Sequence, residues 1–163
     1  MIYVILIFSF LFEATITNIL PLNSIFTPLF LLVSLTLLYP YFKNKKISFI
    51  IVCVICGLIY DITLTNSCFI NTLSFGICGG LIVLIYNYVN YNIYSSNIIN
   101  LIIIIAYRII TYLLLCIVDF IIFDEMLLLE SISNSLISNI IYGIFIYLLM
   151  DVLSKLFRIK RVE

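Results

Sequence analysis

Glu13, Asp61, Arg108 and Asp119 sit inside otherwise apolar runs of this 163-residue chain. Carboxylates and a guanidinium in such surroundings suit ion binding, proton transfer or an internal ion pair, because an isolated charge in hydrocarbon is expensive. Cys53 and Cys56 form a C-x-x-C, and Cys68, Cys78 and Cys116 bring the cysteines to five. Zinc or redox chemistry would need more: the sequence has no second pair at ligand spacing and no histidine. The cysteines therefore read as small apolar packing residues. Without histidine there is no nucleophile–histidine dyad, and the commonest general base is missing. No glycine-rich phosphate cradle occurs either. The expected catalytic, cofactor and metal sets are all empty, so the chain reads as a non-enzyme.

The elements that must position these charges follow from composition. Hydrophobic residues make up 65% of the chain and charged ones 10%, with a mean hydropathy of +1.32. Soluble domains carry about a quarter charged residues, and disordered chains need the opposite composition. The expected solvent is lipid. A crossing takes roughly 20 apolar residues, so the chain holds about six and forms one integral membrane domain over 1–163. The spans fall at about 2–20, 28–42, 47–64, 69–88, 98–122 and 133–156. Helices fit better than strands, since barrel strands would be about half as long and would alternate apolar with polar residues. The fold class is an all-α bundle of six transmembrane helices. Pro21 ends the first span, Thr27-Pro28 reads as an N-cap and first-turn proline of the second, and 90–97 and 124–130 read as loops. The apolar start lacks a basic flank and a cleavage site, so it reads as a retained helix.

Lys43, Lys45 and Lys46 follow span two, and Lys155, Arg158, Lys160 and Arg161 follow span six. By the positive-inside rule both clusters face the cytoplasm and so do both termini. The acidic 124–130 stretch then faces out. Net charge is zero, so no nucleic-acid partner is expected. Helix rise puts Glu13 and Arg108 both about 15–17 Å from the cytoplasmic face. A buried Glu13–Arg108 pair is one expectation. The other is that each finds separate partners, with Tyr112 one turn from Arg108. Asp61 lies roughly 21 Å in, at a level with Asn18 and Asn139. That cluster could fix packing or bind a ligand or proton, and hydrogen-bonded glue is the commoner role. Asp151 and Lys155 suit a helical ion pair. Gly57 precedes Asp61 by one turn, and Gly76, Gly79 and Gly80 would let a backbone approach the fourth span. Tyr86, Tyr88, Tyr91 and Tyr94 read as an interfacial belt.

The stretch Gly57-Leu58-Ile59-Tyr60-Asp61-Ile62, the polar turn after it and Phe75-Gly76 resemble the signature of the bacterial rod shape-determining MreD family. Glu13 late in span one, Thr27-Pro28, the basic turn and the basic tail agree with that likeness. The family often has glycine about eight residues after the aspartate, where this chain has Phe69. The resemblance implies a plasma-membrane component of the cell-elongation complex. Its partners would be MreC first, then MreB, RodA and a class B penicillin-binding protein, with membrane lipid around them. It implies a fold like the six-helix substrate-binding subunits of energy-coupling-factor transporters. That likeness supplies the alternative function, a vitamin-binding subunit using Asp61, Asn66, Asn71 and Asn139.

Overall fold

The computed structural model describes residues 2–19, 28–42, 45–65, 69–89 and 91–156. Amides in long apolar runs must find partners in their own segment, and the described residues do so as helices. They are α1 (Ile2–Ile19), α2 (Phe30–Leu38), α3 (Lys46–Tyr60), α4 (Ile70–Tyr86), α5 (Ile93–Ile117) and α6 (Glu125–Leu156). A 3₁₀ turn at Tyr39–Phe42 prolongs α2, and a π-helical stretch at Asp61–Thr65 prolongs α3. No strand occurs among the described residues. Lys46–Thr65, Ile93–Ile117 and Glu125–Lys155 are long and apolar enough to cross a membrane. Tyr3–Ile19, Phe30–Phe42 and Ile70–Tyr86 are shorter apolar helices.

The shortest helix is the centre. All nine residues of α2 are buried, which is where a helix apolar on every side belongs. It packs against α1, α4, α5 and α6. Around it, α3 lies on α4 and α5 on α6. The core runs from Phe49, Phe75 and Ile82 through Ile99 and Ile103 to Ile146 and Met150. Outside, α1 exposes Val4, Ile7 and Leu11, and α3 exposes Ile47, Ile51 and Ile55. Such an exterior suits hydrocarbon, since soluble proteins seldom show apolar patches this continuous.

Several ends differ from expectation. Within 90–97, Asn92 starts a helix: its Oδ1 accepts from the Ile93 N–H at 2.7 Å, and its own N–H donates to Ser95 Oγ at 2.9 Å. Polar residues that suggest a loop here form a capping box instead. Likewise 124–130 is not a loop. Asp124 Oδ1 accepts from the Met126 N–H at 2.9 Å, and α6 starts at Glu125, where acidic side chains favour the positive helix end. Helix α5 stops at Ile117, short of 122, and Asp119 follows in a left-handed turn with φ 59. Pro28 lies two residues ahead of α2, not in its first turn, and Thr27 is outside the described residues.

The two ends of the bundle differ in charge. At one end Lys46 Nζ donates to Asn87 Oδ1 at 2.9 Å, Tyr91 stacks on Tyr147, and Lys155 pairs with Asp151 at 2.7 Å as expected. Lys45 is exposed beside them; Lys43, Arg158, Lys160 and Arg161 lie outside the described residues. Of the four tyrosines expected as a belt, Tyr88 and Tyr94 are exposed. Tyr86 instead stacks on Tyr39, and Tyr91 turns toward Tyr147. The opposite end carries Asp119, Asp124, Glu125 and Glu130, all exposed.

Candidate functional site: two carboxylates at helix starts

Asp61 is buried and directed at the first turn of α4. Its Oδ1 accepts from the Asn71 N–H at 3.1 Å and from Asn71 Nδ2 at 3.0 Å. Its Oδ2 accepts from the Thr72 N–H at 2.8 Å and from Thr72 Oγ1 at 2.6 Å. A helix start has amides without intrahelical partners and a partial positive charge. A carboxylate from the neighbouring helix meets both needs at once. The change to π-helical winding begins at Asp61 itself, and such insertions re-aim side chains near functional positions.

Gly57, one turn earlier, explains how α4 comes so close. A Cβ there would lie 2.7 Å from the Asn71 carbonyl oxygen and 2.8 Å from Thr72 Cα. Both are backbone atoms that cannot step aside. The spacing G-x-x-x-D therefore places a gap and a cap on one face, separated by a single turn. Further along, a Cβ on Gly79 would meet Cys53 Sγ at 2.9 Å, and one on Gly76 would meet Val54 at 3.2 Å. Gly80 has nothing within 4 Å, so it does not pack within the chain as expected. Phe69, ahead of α4, has φ 60 and ψ 10, the left-handed region. This is the position where the resembled family often has glycine, the residue that enters that region without steric cost.

Glu13 does for α2 what Asp61 does for α4. It is fully buried, and its Oε2 accepts from the Leu31 N–H at 2.8 Å, with the Phe30 amide beside it. Its Oε1 accepts from Tyr60 Oη at 2.9 Å. Asn139 completes the cap from α6, its Oδ1 accepting from the Leu29 N–H at 2.8 Å. Asn139 thus serves α2 and not a cluster around Asp61. Asn18, the other residue expected there, is exposed on α1. A hydroxyl group of contacts lies one turn further along: Tyr142 Oη donates to Ser9 Oγ at 2.8 Å, and Ser9 and Ser34 are 2.7 Å apart. Phe30 stacks on Tyr142 with ring centroids 4.1 Å apart.

Tyrosines join the two capped starts. Tyr60, adjacent to Asp61, reaches Glu13, while Tyr107 Oη donates to Asn71 Oδ1 at 2.5 Å. The hydrogen-bonded set falls into two groups, one of Asp61, Asn71, Thr72 and Tyr107 and one of Glu13, Tyr60 and the Leu31 amide, which meet through the main chain between Tyr60 and Asp61. Arg108, adjacent to Tyr107, does not enter it. No ion pair joins Glu13 to Arg108 among the described residues, and Arg108 Nε is buried without an acceptor. The expected pair is replaced by amides and a phenol, which reach the carboxylate with good geometry. Tyr112 is not the partner of Arg108 either: its hydroxyl accepts from the Asp124 N–H at 2.7 Å and donates to the Asp124 carbonyl at 2.8 Å.

The roles of Tyr60, Tyr107 and Thr72 escape sequence reasoning. The available signal is the tyrosine beside Asp61 and the one beside Arg108, since a buried phenol needs a hydrogen-bond partner. Cys53, Cys56 and Cys78 are buried thiols, Cys53 against Gly79 of α4, and Cys68 lies outside the described residues. Comparison with protein-family models, curated proteins and solved structures finds no match to this chain.

Proposed function

We propose that this chain is a six-span scaffold of the bacterial plasma membrane, an MreD-like component of the cell-elongation complex. In this reading both termini are cytoplasmic, and MreC is the first partner. MreB, RodA and a class B penicillin-binding protein belong to the same assembly, which guides side-wall peptidoglycan synthesis. The observation that carries the reading is how Asp61 is used. Its carboxylate is spent on the start of α4, across the gap left by Gly57, within the stretch that resembles the family. A scaffold needs rigid, self-satisfied spans, and polar side chains that bond one another between helices provide them.

The alternative, a vitamin-binding transporter subunit, would need convergent polar groups left free for a ligand. Asp61 and Asn71 bond each other, and Asn139 holds Leu29. Asn66 lies outside the described residues. A hollow of about 100 Å³ beside Leu6, Phe10, Leu31 and Cys56 is lined by apolar atoms, which gives a vitamin nothing to recognise. The test replaces the native copy with Asp61→Ala and images cell width with wall labelling, after confirming membrane insertion. Rounded cells are the expected result. Normal width would remove Asp61 from the functional residues, and a vitamin requirement would favour the alternative. A reporter at the carboxyl end, inactive in the external space, checks the orientation.

A further inference from the structure

The acidic end of the bundle carries an apolar surface that the six helices leave uncovered. After α5 and in the first turns of α6, Phe120, Ile122, Phe123, Met126 and Leu129 are exposed, Ile122 at 90% and Met126 at 76%. Residues 120–127 line an open hollow of about 900 Å³. Tyr112 clamps both backbone groups of Asp124, and Asp124 caps Met126, so the hollow is held in shape. Around it stand the carboxylates of Asp119, Asp124, Glu125 and Glu130, none in an ion pair among the described residues. The sequence has no lysine or arginine from 109 to 154 to balance them.

Charge decides what can cover this surface. Carboxylates around an apolar patch favour a partner that brings basic side chains to it. They also repel the same face of a second copy, and the lysines at 45, 46 and 155 are at the opposite end of the bundle. The axial position fits a protein partner as well. The helix long and apolar enough to cross, Ile93–Ile117, ends before the hollow begins. We propose that this hollow docks a basic, amphipathic segment of another protein at the membrane surface. Apolar side chains of that segment fill the space beside Ile122 and Met126, and its lysines or arginines face Glu125 and Glu130.

The test is photocrosslinking of the full chain in its native cell, with benzoylphenylalanine in place of Ile122 and, separately, of Met126. Both side chains are exposed, and two positions guard against one that disturbs folding. The expected product is an adduct with a different protein, joined through a peptide of net positive charge. Combining either probe with Glu125→Gln and Glu130→Gln should cut the yield about fivefold or more, as loss of complementary charge does. An adduct with lipid, with a second copy, or with a neutral or acidic peptide would overturn the proposal. So would unchanged yield in the double glutamine variant, or no adduct from two folded probes.

Discussion

Asp61 and Glu13 both cap a buried helix start, but one acts within a hairpin and the other across the molecule. Asp61 reaches residues 71 and 72 of the helix that follows it, and the whole contact belongs to α3 and α4. Glu13 reaches Leu31 on α2, takes a phenol from α3, and shares its task with Asn139 of α6. The first site sets the geometry of a pair of helices. The second ties four helices together, with the amides at the start of α2 divided between Glu13 and Asn139. Local capping concentrates its energy in one residue, whereas distributed capping spreads it.

The largest expected effect separates these cases. Asp61→Ala orphans the Asn71 and Thr72 amides and should cost about 3–5 kcal/mol, at roughly 1–3 kcal/mol per buried unsatisfied group. Thermal unfolding in detergent measures it. Glu13→Ala strips the Leu31 amide and the Tyr60 hydroxyl of their acceptor, two hydrogen bonds against four at Asp61, and leaves Asn139 on Leu29, so it should cost less, about 2–4 kcal/mol. A larger loss from Glu13 than from Asp61 in the same assay would reverse the comparison. Gly57→Ala drives a methyl into the backbone of α4 and should cost about 1–3 kcal/mol, while Gly80→Ala, facing open space, should be neutral or gain up to about 1 kcal/mol. Equal costs at the two glycines would show that α4 does not depend on close approach at its start. Phe69→Gly relieves a left-handed residue and should stabilise by about 1 kcal/mol. Smallest of all is the Glu13→Gln, Arg108→Gln double-mutant cycle. With no ion pair between the two side chains its coupling should stay under about 1 kcal/mol, against several for breaking a buried pair.

How far each site could be read from sequence follows the same division. Gly57 and Asp61 sit four positions apart, so helix periodicity alone puts them on one face, and the following turn marks where α4 must start. Phe69 stood out as a departure from the family pattern, and its backbone conformation gives the physical reason glycine is usual there. Glu13 was visible only as a costly charge. Its partners are main-chain amides at the start of α2, and main-chain groups leave no signature in residue type. Glu13 and Arg108 are opposite in sign and matched in level along their helices, but matching depth says nothing about which way a side chain turns. The same limit misplaced Asn18 and Asn139. The starts of α5 and α6 were hidden for another reason: asparagine, serine and acidic residues read as loop formers, yet they are also what the first turn of a helix uses.

The link between Asn139 and Leu29 has a consequence for how the protein is made. The amide at the head of the central helix finds its acceptor about 110 positions downstream. While the ribosome is still short of that point, this amide must rely on water or a temporary partner. The innermost helix is therefore among the last to become settled, although it emerges early. Final closure waits for the arrival of the last segment.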